Sequence, residues 1–242
     1  MSKAATQTEA RPRRWGMVID LNRCIGCQTC SVACKIKNNL PEGTWWNRVL
    51  TVEGDEIDQV GGTVDHPTLS FLPMACQHCE EPACLPVCPT GATYKREDGI
   101  VAIHTEDCIG CRSCIQACPY GVRIFNEKPA KRSTEHALGS SAVTSGVRGV
   151  VEKCDFCMDR IDAGALPMCI ETCPARARFV GDLNDPDSEV SRLIREQGAQ
   201  QLQPEMGTNP SVYYIPVQRR NVHRTGLDSI AVEPSTVAVG PS

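Results

Sequence analysis

Apolar positions along this chain come in short runs that polar residues or glycines soon interrupt, a pattern that predicts many small elements and few long ones. The β-branched run Gly16–Asp20 predicts a strand. A helix is expected after Cys30, and with no proline after Cys34 it should run on through Lys35 to Asn38. Two apolar stretches, Arg48–Val52 and Thr68–Leu72, are punctuated by Pro41, Gly43, Gly54 and Gly61-Gly62 and predict a hairpin-like excursion. Asp98-Gly99 ahead of Ile100–Ile103 is a strong hairpin signal. A helical turn is expected from Met158, ended by Gly164. A fuller helix from Ser188 to Gln197 puts Val190, Leu193 and Ile194 on one face, with Gly198 as its stop.

Polar segments connect these elements. Residues 1–14 read as a basic arm against a partner subunit. Arg13-Arg14 has the look of a twin-arginine export signal, but charged residues and Cys24 follow where such a signal needs an apolar core of roughly 7 to 15 residues. Residues 126–150 are rich in Gly, Ser and Thr without a period and read as a loop insertion. Beyond Gly198 the chain is punctuated by proline and has little apolar periodicity, so it is expected to lie along another subunit.

Cysteine changes this picture. The 16 cysteines of the 242 residues fall into quartets with none left over: Cys24, Cys27, Cys30, Cys34; Cys76, Cys79, Cys84, Cys88; Cys108, Cys111, Cys114, Cys118; and Cys154, Cys157, Cys169, Cys173. Pro89, Pro119 and Pro174 follow the last thiol of three of them. In the third run, Cys108-Ile-Gly-Cys111-Arg-Ser-Cys114-Ile-Gln-Ala-Cys118-Pro119, three close thiols can reach different irons of one cubane. The last thiol lies past the turn of a helix and suits a neighbouring cluster, as in two-cluster bacterial ferredoxins. Disulfides fit poorly with repeated C-x-x-C geometry in a chain of this length. A tetrahedral zinc ion needs neither the third thiol nor the C-x-x-x-C-P ending.

Composition agrees. Aromatic residues are only 5%, a sparse core that cluster ligation would help to hold, because structural metal binding is folding energy. A net charge of -4 disfavours nucleic acid as a partner. No stretch approaches the run of about 18 apolar residues that spans a membrane, so a soluble or peripheral protein is expected. Four residues near the thiols are assigned supporting places: Lys35 as a solvated helix end, Trp45-Trp46 in packing against a partner protein rather than near a cluster, and His78 as a solvent-facing or supporting group rather than a ligand.

These quartets, with Met17-Val-Ile-Asp20, Cys108-Ile-Gly-Cys111, Ala117-Cys118-Pro-Tyr-Gly121, Lys153-Cys154-Asp-Phe-Cys157 and Gly181-Asp-Leu-Asn-Asp-Pro186, resemble one family. It is the iron–sulfur electron-transfer subunit of the membrane-associated molybdopterin oxidoreductases, which include the polysulfide, thiosulfate, tetrathionate, arsenate and dimethyl sulfoxide reductases. Gly207 to Tyr214 is most similar to the polysulfide and arsenate branch.

The resemblance implies an α+β fold of two ferredoxin-like two-cluster units with loop insertions and an extended C-terminal tail. Residues 15–40 and 150–182 would form an outer unit, 72–126 an inner unit, 41–71 and 127–149 insertions, and 183–242 a helix and partner-binding tail. It also implies four 4Fe–4S clusters: cluster A on Cys24, Cys27, Cys30 and Cys173; B on Cys34, Cys154, Cys157 and Cys169; C on Cys76, Cys79, Cys84 and Cys118; D on Cys88, Cys108, Cys111 and Cys114.

Such a subunit has no catalytic residues of its own. It relays electrons between a molybdopterin-containing catalytic subunit and an integral membrane quinone-binding anchor, in anaerobic respiration on sulfur or arsenic compounds. The equivalent subunit of a formate dehydrogenase or hydrogenase is the alternative, and a zinc-stabilised binding module a third. As a peripheral part of a membrane-bound complex, it is expected at the periplasmic face by co-export with a signal-bearing partner, with the cytoplasmic face as the other location.

Overall fold

Residues 12–52, 60–132 and 136–218 are described by the computed structural model; most of the expected N-terminal arm and the segment 219–242 lie outside them. The elements in chain order are β1 (Trp15–Asp20), α1 (Thr29–Lys37), β2 (Arg48–Thr51), β3 (Gly61–Gly62), β4 (Pro67–Thr68), β5 (Phe71–Met74), β6 (Thr93–Lys95), β7 (Val101–Ile103), α2 (Ser113–Gln116), β8 (Ile124–Phe125), β9 (Val151–Glu152), α3 (Met158–Asp162), α4 (Met168–Glu171), β10 (Arg178–Asp182), α5 (Glu189–Gln197), β11 (Gln200–Gln201) and β12 (Val212–Ile215). As the broken apolar pattern predicts, no helix exceeds 9 residues among those described.

The largest sheet has the order β10-β1-β12-β11. β1 pairs antiparallel with β10 from Trp15↔Asp182 to Ile19↔Arg178, and parallel with β12 from Met17↔Val212 to Asp20↔Ile215. With a neighbour on each side, β1 buries five of its six residues, which explains why its sequence is a continuous apolar run rather than an alternation. The helix α5 covers this sheet. Ser188 caps it by accepting from the Ser191 amide, Gly198 ends it in a left-handed turn, and Val190 beneath it packs on Val18 and Ile215.

The segment after Gly198, expected to lie along another subunit, contributes two strands to this sheet. Up to residue 218 the segment folds on its own chain: β12 fills the sheet, and the loop before it reaches the other unit. There, Glu80 N donates to Asn209 O at 2.7 Å, Glu81 N to Thr208 O at 3.0 Å and Ser211 N to Gln77 O at 2.9 Å. Tyr120 and Thr208 share a hydroxyl hydrogen bond of 2.6 Å.

The expected excursion is present as β2 paired with β5, and Asp98-Gly99 turns β6 back on β7. A small hairpin, β3 with β4, adds to the excursion. One apolar core runs through both cysteine-rich halves, joining Met17 and Ile19 to Leu72, Ile100, Tyr120, Phe156 and Tyr214. Arg13 and Arg14 are tied down: Arg14 pairs with Glu80 at 2.9 Å, and Arg13 lies over the Trp15 ring.

Candidate metal centres

Four thiol loops are built on one local plan. In Cys24-Ile-Gly-Cys27 and Cys108-Ile-Gly-Cys111, Gly26 and Gly110 both sit at φ 68°, a conformation open to glycine at little cost. Gln28 and Arg112 follow at φ 60° and 63° and start the helices α1 and α2, which carry Cys30 and Cys114 inward. The other two loops place His78 (φ 43°) and Phe156 (φ 62°) where the first two have glycine.

These loops bring thiols from different quartets together. One cavity is lined by Cys88, Cys108, Cys111 and Cys114. A second is lined by Cys76, Cys79, Cys84 and Cys118. The third is lined by Cys34, Cys154, Cys157 and Cys169, with Cys76 at its edge. Cys24 is close enough to feel the charges of Cys30 and Cys173, and α1 packs against α4, just ahead of Cys173. None of the 16 cysteines is in a disulfide.

Backbone amides donate to these sulfurs. Thr93 N reaches Cys88 Sγ at 3.4 Å, Val151 N reaches Cys108 Sγ at 3.5 Å, and Ala177 N reaches Cys173 Sγ at 3.4 Å. The quartet without a following proline uses a side chain instead: Asn38, at the end of α1, donates through Nδ2 to Cys34 Sγ at 3.3 Å. Burial and neighbouring thiols push Cys154 and Cys34 up, and burial with Asp155 and Cys169 pushes Cys157 up to about 12. Burial alone would raise Cys76 too, yet His78 and Lys153 beside it pull it well below the ordinary thiol value.

Four lysines and arginines are buried among the described residues, and of these only Lys37 has a carboxylate partner, Asp159. The others face sulfur and carbonyl oxygen. Arg123 Nη2 donates to Cys84 Sγ at 2.9 Å and its Nη1 to Thr93 Oγ1 at 3.1 Å. Arg178 Nη2 donates to Cys30 Sγ at 3.4 Å and to Asn47 Oδ1 at 3.1 Å. Lys153 Nζ donates to the carbonyls of Val101 and Cys154. A buried cation without a counter-charge is costly. Thiols converging in fours, amides aimed at sulfur and unpaired buried cations together fit an anionic thiolate-ligated iron–sulfur group.

Of the neighbouring residues, His78 takes the second of its two expected places, whereas Lys35 departs from its own. His78 is buried, not solvent-facing: its Nδ1 accepts from Val101 N at 3.2 Å and its ring meets Phe156. Lys35 is not a solvated helix end, since its Nζ donates to the carbonyls of Pro41 and Thr44 and lies 4.5 Å over the Trp45 ring. Trp46, expected to pack against a partner protein, is instead buried within its own chain beside two thiols, in a small core with Cys34, Leu40 and Cys154, and its indole donates to Glu152 at 3.3 Å. Sequence reasoning missed Arg123 and Arg178, although each stands five places after the cysteine of a Cys-Pro pair, Cys118 and Cys173.

Residues 67–136 and 141–183 match a 4Fe–4S dicluster domain family, and residues 23–92 match a second family of the same description. A candidate iron–sulfur subunit of a dimethyl sulfoxide reductase from Halobacterium salinarum is 49% identical, over 83% of this chain and 78% of its own. A selenate reductase subunit from Mesobacillus selenatarsenatis is 44% identical, over 84% of this chain and 72% of its own. The arsenate respiratory reductase iron–sulfur subunit ArrB of Shewanella sp. is 38% identical, over 84% of this chain and 96% of its own.

Proposed function

The chain belongs to the family of 4Fe–4S dicluster iron–sulfur subunits of oxidoreductases and carries four such clusters, and on that premise we propose that it conducts electrons between a molybdopterin-containing catalytic subunit and a quinone-reactive membrane anchor. The complex acts on a sulfur or arsenic compound, in keeping with the names of the relatives. Among the described residues no helix is long and apolar enough to cross a membrane, which agrees with a peripheral place in the complex.

Crossed ligand sets carry this reading. Cys24, Cys27, Cys30 and Cys173 hold cluster A; Cys34, Cys154, Cys157 and Cys169 hold B; Cys76, Cys79, Cys84 and Cys118 hold C; Cys88, Cys108, Cys111 and Cys114 hold D. Support comes from three cavities: two are each lined by three thiols of one quartet and one of another, and the third, around Cys34, Cys154, Cys157 and Cys169, has Cys76 as a fifth. When bound, the clusters supply reversible one-electron centres whose potentials follow hydrogen bonds, charge and burial.

The residues also support a linear order. Arg178 touches thiols of A and B, Cys76 of C borders the cavity of B, and Arg123 touches thiols of C and D. The order A, B, C, D follows. Only two thiols are exposed, Cys27 of A and Cys111 of D, beside the exposed Ile25 and Ile109. A and D are thus the ends at which electrons enter and leave.

The test is electron paramagnetic resonance of the intact complex. Cys118→Ser should perturb the cluster of Cys76, Cys79 and Cys84 more than that of Cys108, Cys111 and Cys114, and the reverse result would break the crossed sets. Reduction of all cluster signals by a quinol through the anchor, lost when the anchor is removed, tests the relay itself.

A further inference from the structure

Arg178 and Arg123 are equivalent residues of the two units. Each follows its Cys-Pro pair at the same distance, and each is buried with its guanidinium between third cysteines. Arg178 bonds Cys30 and also reaches Cys169; Arg123 bonds Cys84 and also reaches Cys114. In the ligand sets above, one thiol of each pair belongs to one cluster and the other to its neighbour. Lys153 lies at the remaining boundary, bonded to the carbonyl of Cys154 and within electrostatic reach of Cys76.

We propose that Arg178, Lys153 and Arg123 form a row of fixed cations, one at each boundary between neighbouring clusters, and that each raises the reduction potential of both clusters it separates. The reason is charge. An electron entering a cluster adds a unit of negative charge, and a buried cation with no carboxylate beside it stabilises that reduced state. Arginine suits the two boundaries inside the units, because its planar fork can donate to two acceptors at once. Lysine suits the boundary between the units, where backbone carbonyls fix a single ammonium group. Held at both ends of each hop, the cation keeps adjacent potentials from drifting apart.

The inference rests on the proposed ligand sets and predicts an overlapping pattern. In the cluster-loaded complex, with full iron and sulfide content, potentiometric titration of the resonance signals should show two lowered midpoints for each variant. R178Q should lower A and B, K153Q should lower B and C, and R123Q should lower C and D. Each shift should reach at least tenfold in the oxidised-to-reduced ratio at fixed potential, about 59 mV for one electron. Neighbouring variants must share one shifted signal, and R178Q and R123Q must share none.

The charge-keeping variants R178K, K153R and R123K should hold the midpoints within tenfold of the parent. They also decide the matter if a glutamine variant fails to load, a tenfold fall in them counting against the row of charges. Unshifted midpoints in a fully loaded glutamine variant, or four equal shifts, would overturn the proposal. Failure of the ligand sets is read separately, from the signal that Cys118→Ser perturbs.

Discussion

His78 and Phe156 meet edge to face, with ring centroids 5.0 Å apart and planes at 75°. Each is the residue before the second cysteine of its quartet, and each is held at positive φ. The contact thus joins equivalent points of two thiol loops, one in each half of the chain. Phe156 is 2% exposed. Phe156→Ala should cost about 3 to 5 kcal/mol, as for other buried phenylalanines, of which the ring pair itself accounts for about 0.5 to 1.5 kcal/mol. The midpoint of guanidinium unfolding of the cluster-loaded protein measures it. A loss under about 1 kcal/mol would mean that this contact does not join the halves.

Gly26 and Gly110 occupy the same place in their loops but differ in what surrounds them. A Cβ on Gly110 would lie 2.0 Å from the carbonyl oxygen of Gly149, while one on Gly26 would meet the Phe71 ring at 2.4 Å. A ring can turn, whereas a backbone carbonyl cannot move without shifting the turn that leads into β9. Both alanines also suffer from positive φ, a strain of about 1 to 3 kcal/mol. Gly110→Ala should therefore lose more iron and sulfide than Gly26→Ala on anaerobic purification. Equal retention would count against the close approach at Gly149.

Removing the chain beyond Gln203 should uncover β1. Val212, Tyr214 and Ile215 are all buried, each worth roughly 1.5 to 3 kcal/mol. Tyr214 also donates its hydroxyl to Pro73 O at 3.1 Å, and burial pushes its pKa up to about 12. The expected outcome is a protein that fails to load its clusters and is rapidly cleaved by protease. Survival of all cluster signals would return this segment to the status of an accessory tail.

Arg96 in the β6–β7 hairpin pairs with Asp162 of α3 at 2.7 Å, across the two halves. The Arg96 guanidinium holds the Asp162 carboxyl below its usual range. The folded pKa therefore lies below the unfolded value of about 3.9, so the stabilisation is full above that value and is lost as pH falls through the lower folded one. Asp162 is 54% exposed, which limits the effect of Asp162→Asn to about 0.2 to 1 kcal/mol at neutral pH. The difference in urea midpoint between parent and variant should stay level from pH 7 to pH 5 and shrink in about 1 M salt. A difference that disappeared above pH 5 would contradict the lowered pKa.

The thiol loops were legible in the sequence because ligand spacing is local: three thiols within a short run define one loop wherever the rest of the chain goes. The hairpin at Asp98-Gly99 was legible for the same reason. β12 was not. Its four residues sit between Pro210 and Pro216 without alternation, and its partner β1 is at the other end of the chain. His78 was left between a solvent-facing and a supporting place because what buries it, Phe156, comes from another quartet. The repeat of arginine after Cys-Pro was visible in the sequence, but a basic residue on a string of letters carries no sign of burial.

The central place of β1 sets an order on synthesis. This strand runs directly into the first quartet, yet its two neighbours are residues 178–182 and 212–215. A chain leaving the ribosome completes the hairpin β6–β7 and the thiols up to Cys118 while β1 still has open edges on both sides. Such distant pairing is slow to form. The first loop thus becomes a closed site only after residues 212–215 have been made. A polypeptide that stops short of β12 keeps a bare strand edge on β1, directly ahead of the thiols of the first loop.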